Sequence, residues 1–310
     1  MSRVIAATRR QLRRQRSPFW LELLLIVWLC WIYDYINNLS PLRVSLAMSD
    51  GRFLLHVERI VHLDPEATLD HWLAGHPALG WVAGNYYDNV HFITTLGLIG
   101  IVWWWFPDRY RPLRNGLVLT NLIAMVIFWL VPTAPPRLLD PSLFIDIVGQ
   151  SHSFGSWHAG ALGTAANQYA AMPSMHLGWA AWSTLAAWRI LPRRRWTFLI
   201  WIYPVLTAVD VLATGNHYLT DVLAGAAVFA ISQVVADRWQ GWWTAREARR
   251  ALERPVLALA AVSELPDGSS DPVGAPGAVG ASGADGAVGA DGRFEGQPYE
   301  ASSHQHPPSR

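Results

Sequence analysis

Long apolar blocks separated by short polar stretches dominate this chain from residue 19 to residue 236. Each block approaches the roughly 20 residues that a helix needs to cross about 30 Å of hydrocarbon. The pattern therefore predicts about six membrane-spanning helices, over residues 19–36, 91–106, 117–131, 177–191, 196–213 and 219–236.

The arginines in the polar stretches predict the orientation of these helices. They cluster within residues 1–16, between the second and third blocks, between the fourth and fifth, and after the sixth. Because positive residues favour the cytoplasmic side, we expect a multi-pass protein of the plasma (cytoplasmic) membrane with both termini cytoplasmic. The first block lacks a small-residue cleavage site after it, and we expect it to be a retained signal anchor.

The polar segments divide the chain into four predicted parts. These are a basic cytoplasmic N-terminus (1–16), a transmembrane domain (17–240), a basic juxtamembrane helix (241–262) that ends near Pro255, and a disordered Gly/Ala-rich tail (263–310). Within the transmembrane domain, residues 40–85 are polar, and we expect them to form an outer-surface element that shapes substrate access. The tail carries glycine at every third position over 274–292, but it is short and nearly free of proline, which favours a flexible tail over a collagen helix.

Composition agrees with a membrane protein and excludes other classes. Hydrophobic residues make up 52% of the chain and charged residues 15%, and there are 18 tryptophans. The net charge is +1, and the basic residues are explained by membrane topology, so no nucleic-acid partner is expected. The single cysteine, Cys30, cannot form a disulfide within the chain.

Two short motifs at the predicted outer ends of apolar blocks carry the candidate chemistry. The first is Pro-Ser-Met-His at residues 173–176, and the second is Gly-Asn-His-Tyr-Leu-Thr-Asp at residues 215–221. His217 and Asp221 are four residues apart, so on a helix they share one face and can meet. The imidazoles of His176 and His217 and the carboxylate suit phosphate transfer: one imidazole attacks phosphorus, the second protonates the leaving group, and Asp221 orients the attacker. The substrate is then expected to be a membrane lipid phosphoester.

Groups that bind phosphate are predicted beside these motifs. Ser174 and the N–H groups of its helix start form an anion cradle, and Gly215 and Asn216 are expected to contribute to a second one. Arg137, within the sequence Pro-Thr-Ala-Pro-Pro-Arg, can clamp a phosphate in a bidentate manner on the same face. Tyr87, His91 and Tyr169 are candidates for a substrate pocket, although tyrosines here also suit an aromatic belt at the membrane surface.

These three motifs resemble the type 2 phosphatidic acid phosphatase superfamily, and in detail its inositol phosphorylceramide synthase-like (inositolphosphotransferase) branch. The resemblance covers roughly residues 85–236. It implies an all-α, polytopic membrane bundle of about six transmembrane helices, of the phosphatidic acid phosphatase type 2 and haloperoxidase-like fold. It also implies a metal-independent reaction without cofactors through a phosphohistidine, with His217 as nucleophile, Asp221 as its orienter and His176 as general acid and then base.

The chain departs from the phosphatase pattern of that family. It has no lysine, and Val211 stands six residues before His217, where phosphatases carry an arginine. This thin cationic lining is similar to the transferase branch, which passes the phosphate group to a small-molecule or lipid acceptor. A lipid phosphate or polyprenyl diphosphate phosphatase is the alternative, and a non-catalytic lipid-binding or transport protein is a further one. A metal site at the same residues is disfavoured because no Cys, His or Glu cluster completes a ligand shell.

Overall fold

The protein is helical throughout the part that the structure describes. A computed structural model describes residues 17–39, 43–151 and 168–263, and within them the only β-type contact is one isolated bridge between Thr133 and Ala170. The all-α prediction is confirmed for these residues. The predicted basic N-terminus (1–16) and nearly all of the predicted tail lie outside the described residues.

The described residues form eleven α-helices. The helices are α1 (Phe19–Leu39), α2 (Val44–Ile60), α3 (Glu66–Ala74), α4 (Pro77–Asn85), α5 (His91–Trp105), α6 (Pro107–Leu130), α7 (Pro136–Leu139), α8 (Ile147–Ser151), α9 (Met175–Ile190), α10 (Ile202–Ala213) and α11 (Leu219–Ser263). A π-helical turn, Tyr86–Val90, joins α4 to α5, and a 3₁₀ turn, Thr197–Trp201, leads into α10. Each predicted apolar block therefore coincides with a helix.

Three of these helices are long and apolar enough to cross a membrane. They comprise Phe19–Ile36, Pro107–Leu130 and Leu219–Arg250, and Thr197–Ala213 is a shorter apolar segment. The other two predicted spans, α5 and α9, have 15 and 16 residues, although α5 continues the helical run that begins with α4. The chain is thus a membrane protein, and the count of six spans stays a prediction.

Helix α9 is the centre of the bundle, in contact with α5, α6 and α10. Trp182 is fully buried, and its indole N–H donates to the carbonyl of Leu113 on α6 at 2.9 Å. Val102 of α5 and Ala186 of α9 pack in the same cluster. This packing holds the second half of α9 against α5 and α6, and the first motif lies at the other end of α9.

The segment 40–85 is more than a surface appendage. The α3 residue Leu73 is buried with Ala213 of α10, although Trp72 is 55% exposed. Helix α2 packs beside α7, and the N–H of Ala134 donates to the carbonyl of Ala47 at 3.0 Å. Helices α2 and α3 therefore form part of the body that holds the motif loops.

Helix α11 is a single helix of 45 residues. It joins the sixth predicted span to the predicted juxtamembrane helix without a break, and Pro255 lies inside it. A proline removes one N–H from the backbone ladder, and here the helix continues beyond the missing bond. Three tryptophans at residues 239, 242 and 243 cluster on its exposed side, with the guanidinium of Arg246 over Trp242 at 5.1 Å.

The chain divides into two compact units, Met1–Pro255 and Val256–Arg310. The first contains all the helices from α1 to α10, most of α11, and every motif singled out above. Of the second, the structure describes only the last turns of α11.

Candidate active site

His217 lies in a tight connection between α10 and α11. Gly215 adopts a positive φ of 63°, a conformation that side chains rarely accept, and this turns the chain out of α10. The N–H groups of Gly215, Asn216 and His217 donate to carbonyls of Val211 and Leu212 at 3.1–3.2 Å. The connection is therefore anchored on the last turn of α10, and His217 is only 4% exposed.

The two ring nitrogens of His217 have different surroundings. Nδ1 lies 2.9 Å from the carbonyl oxygen of Ala171 and 3.5 Å from Oδ2 of Asp221. Since a carbonyl can only accept, Nδ1 carries the proton and Nε2 presents its lone pair. Nε2 is buried and has no hydrogen-bond partner among the described residues.

Asp221 is fully buried beneath His217. Its Oδ2 accepts the N–H of Tyr218 at 3.0 Å, and its backbone carbonyl accepts the N–H of Ser174 at 2.9 Å. The second bond links the start of α11 to the start of α9. A Cβ on Gly225 would approach the carbonyl oxygen of Ser174 to 2.2 Å, so the two helix starts meet where only glycine fits.

His176 occupies the first turn of α9, and its ring centroid is 5.6 Å from that of His217. Tyr87 stacks on one side of His176 at 4.1 Å, and His91 contacts it at 4.2 Å. Two of the predicted pocket residues therefore pack directly against a predicted catalytic histidine. The backbone carbonyl of Tyr169 accepts the N–H of Thr133 at 2.8 Å, and its place in a substrate pocket stays a prediction.

The predicted phosphate-binding residues have different environments. Ser174 is fully buried and caps α9, accepting the N–H of Leu177 at 3.5 Å. Arg137 is 8% exposed; its Nε donates to Oδ1 of Asn216 at 2.7 Å, and its Nη1 donates to Oδ2 of Asp146 at 3.3 Å. The guanidinium is thus fixed beside the His217 connection.

The expected second anion cradle at Gly215 and Asn216 differs from what the structure shows. Their N–H groups are already bonded to carbonyls of α10, because the chain must end that helix before it starts α11. Asn216 instead contacts Arg137 through its side chain, while Nδ2 donates to Thr214. The backbone N–H groups of these two residues are thus engaged within the protein, and the side chain of Asn216 supports the arginine. Phosphate binding by Gly215 and Asn216 stays a prediction.

Several groups that build this site have little or no signal in the sequence. The carbonyl of Ala171 has no side-chain signature, and it is brought to His217 when Ala171 bonds to Thr133 through its N–H. Asp146, which accepts a hydrogen bond from Arg137, belongs to a segment in which the sequence shows no motif. Glu58 and Glu66 contact the start of α11 from the segment 40–85. Nothing in the sequence separates them from the other acidic residues of that segment.

The described residues contain no group of three or more His, Cys, Asp or Glu side chains placed to hold a metal ion. The site consists of two imidazoles, one carboxylate and one guanidinium.

A helical membrane body that brings two histidines, an aspartate and an arginine together defines a class of membrane protein with a candidate phosphate-transfer site. Residues 52–235, more than half of the chain, match the family described as the PAP2 superfamily. The chain therefore belongs to the PAP2 superfamily, whose members are generally phosphatases or phosphotransferases, and it is an enzyme of that general type. No curated protein and no solved structure matches the chain.

The match confirms the resemblance at the level of the superfamily. It also begins at Arg52 rather than near residue 85, so most of α2 and all of α3 belong to the family region.

Proposed function

We propose that the protein is an integral membrane phosphotransferase of the inositol phosphorylceramide synthase-like kind, acting on lipid phosphoesters at the extracytoplasmic face through a phosphohistidine. The observation that carries the proposal is the state of His217. Its Nδ1 proton is engaged by Ala171, and Nε2 has no partner among the described residues. A buried imidazole held in this tautomer is a prepared nucleophile.

In the first step, Nε2 of His217 attacks phosphorus, and the bond between phosphorus and the leaving oxygen breaks. His176 gives its proton to that oxygen. The attacking ring becomes positively charged, and Asp221, 3.5 Å from Nδ1, stabilises this charge. The product is a phosphohistidine at residue 217.

In the second step, a hydroxyl of the acceptor attacks the phosphorus, and the bond to Nε2 breaks. His176, now neutral, takes the hydroxyl proton, which restores both histidines to their starting states. The acceptor is a small-molecule polyol or a lipid alcohol.

Charge on the phosphate oxygens is met by Arg137 and by the start of α9. Arg137 is held by Asn216 and Asp146 through Nε and Nη1, which directs its remaining N–H groups toward a ligand. The N-terminal turn of α9 adds the positive end of a helix dipole. One arginine with an acidic neighbour is a thin cationic lining, and this supports the transferase reading over a phosphatase.

The test is turnover of labelled lipid donors by the full chain in detergent or nanodiscs. Labelled phospholipids and polyprenyl diphosphates are supplied with and without myo-inositol or other polyols, and both free phosphate and new lipid products are measured. We expect an acceptor-dependent product in the wild type and a loss of at least about 10³-fold in His217→Ala, because the nucleophile is removed. His71→Ala is the matched control, since His71 is exposed on α3 and its ring bonds to the carbonyl of Ala67 in the same helix.

Each of the other outcomes supports a different function. Free phosphate without an acceptor product identifies a phosphatase with the same nucleophile. A labelled product that persists in His217→Ala rejects the phosphohistidine mechanism, and the absence of any His217-dependent turnover favours the non-catalytic alternative.

A further inference from the structure

Two glutamates are buried outside the catalytic residues, at the turn between α2 and α3. Glu58 is 1% exposed and Glu66 is fully buried. Carboxyl groups are rarely buried to this extent unless they are paired or bonded. No step of the proposed mechanism uses either of them.

Both glutamates bond to the backbone at the start of α11. Oε1 of Glu66 accepts the N–H of Leu219 at 2.6 Å, and Oε1 of Glu58 accepts the N–H of Thr220 at 2.7 Å. Oδ2 of Asp221 accepts the preceding N–H, that of Tyr218, at 3.0 Å. Three carboxyl groups thus take three consecutive N–H groups at the positive end of the helix, where such groups need partners.

The two glutamates also contact each other. Their carboxyl groups lie close enough to interact, and both Oε2 atoms are buried with no hydrogen-bond partner among the described residues. Two carboxyl oxygens attract each other only if a proton lies between them. A single proton between the two groups would satisfy both of these oxygens.

The surroundings of the pair supply negative or neutral groups. Asp221 acts on Glu58 electrostatically from α11, and the phenol of Tyr218 is buried beside both glutamates. Burial is the main cause that raises the pKa of both carboxyls, and the charge of Glu58 contributes to raising the pKa of Glu66 to about 8.

We propose that Glu58 and Glu66 are positioning residues that share one proton and hold the start of α11, so that turnover depends on a proton stored outside the catalytic trio. The dependence of turnover rests on the proposed function, whereas the shared proton and the helix contact do not. Neither side chain needs to touch the substrate.

Loss of the shared proton leaves two adjacent buried anions beside Asp221. They repel each other, and α2 and α3 then release the N–H groups of Leu219 and Thr220. Asp221 lies in the first turn of α11 and His217 just before it, so their alignment is lost with these contacts. We expect kcat to fall at alkaline pH while KM changes little.

The test compares wild type with Glu66→Gln in the full chain. A glutamine keeps a carbonyl oxygen for Leu219, and its amide donates to Glu58, so it imitates the protonated pair at every pH. We expect the hydrogen-exchange protection of residues 218–221 to fall by about tenfold or more between about pH 6 and about pH 9 in wild type, and to stay constant in Glu66→Gln. Asp64→Asn is the matched control, because Asp64 is partly exposed in the same turn and pairs with Arg59.

Thermal unfolding gives a second measurement that needs no substrate. Because the pKa of Glu66 is raised from its ordinary value of 4.5 to about 8, the folded state keeps a proton that the unfolded state releases. The contribution of Glu66 to the free energy of unfolding is then fully present below about pH 4.5 and is lost as the pH rises through about 8. Glu66→Gln removes this contribution, so its Tm is expected to vary less over that range.

The proposal is overturned if Glu66→Gln shows the same pH dependence of protection and Tm as wild type. Should that variant fail to fold, Glu58→Gln and the infrared band of a protonated carboxyl in wild type decide the question: a band that is absent at about pH 6 rejects the shared proton.

Failure of the proposed function has a different signature, since it removes His217-dependent turnover and leaves the exchange and melting results unchanged. If a donor is turned over, an alkaline loss of kcat that Glu66→Gln abolishes supports the positioning role, and an unchanged loss contradicts it.

Discussion

At the scale of single residues, the environment of His217 separates two tasks. The carbonyl of Ala171 bonds to Nδ1 and selects the tautomer, while Asp221 lies somewhat farther from Nδ1, at 3.5 Å. Asp221 also accepts the N–H of Tyr218. Its contribution is thus chiefly a negative charge that favours the charged ring, together with an anchor for the start of α11.

Asp221→Asn tests this division. An asparagine oxygen still accepts the N–H of Tyr218, and Ala171 still holds the ring, so the fold and the ring orientation are expected to persist. The loss of charge is expected to lower kcat by roughly 10²- to 10⁴-fold with a smaller change in KM. Asp140→Asn, at a partly exposed loop carboxylate that bonds to Ser142, is the control, and a fall in KM alone with kcat intact would contradict the assigned role.

The sequence supports predictions at this scale only where side chains carry the signal. The spacing of His217 and Asp221 predicted that they share a face, and the structure places them together. The carbonyl of Ala171 is 46 residues from His217 along the chain, and a backbone oxygen has the same chemistry at every position. Only the folded path of residues 168–171 beside Thr133 brings it to the ring.

At the scale of elements, the contact between α9 and α11 organises the site. Ser174 begins one helix and bonds to Asp221 of the other, and Gly225 gives the space for this approach. Sequence patterns predicted both helices but gave no measure of their separation. The separation depends on one missing Cβ.

Gly225→Ala is expected to damage the site through the backbone. The new methyl group would lie 2.2 Å from the carbonyl oxygen of Ser174, so the helices must move apart, at a cost of about 1–3 kcal/mol in stability. Gly241→Ala in the same helix is the control, because nothing lies within 4 Å of its Cβ position, and alanine there should stabilise α11 by about 0.5–1 kcal/mol. Thermal melting in detergent measures both, and equal Tm values for the two variants would refute the close contact.

At the scale of the whole molecule, the arginine pattern predicts which end of the helical body faces the cytoplasm. The predicted outer end has the motif loops and Ser142, and the predicted cytoplasmic end has Arg193 to Arg195. Apolar length and composition establish a membrane protein, since three helices can span a bilayer. The side of the membrane that each end faces is decided during insertion, and insertion depends on the distribution of charge rather than on helix packing.

The single cysteine makes this orientation directly measurable. In a Cys30→Ser background, a cysteine at exposed Ser142 is expected to react with a membrane-impermeant maleimide in intact cells, and Arg193→Cys only after the membrane is opened. Labelling of Arg193→Cys alone in intact cells would invert the orientation and place the candidate site on the cytoplasmic side.

The length of α11 also predicts how deep this helix lies in the membrane. About 20 residues of helix cross about 30 Å, so a span that begins at Leu219 reaches the opposite boundary of the hydrocarbon near Trp239. There the tryptophan cluster begins, and Arg246 follows it. Indole rings prefer the interface between membrane and water, so we expect the tryptophan cluster to fix the depth of α11 in the bilayer. We then expect His217, two residues before the other end, to lie at the level of the lipid phosphates, where a lipid can present its headgroup while its chains stay in the bilayer.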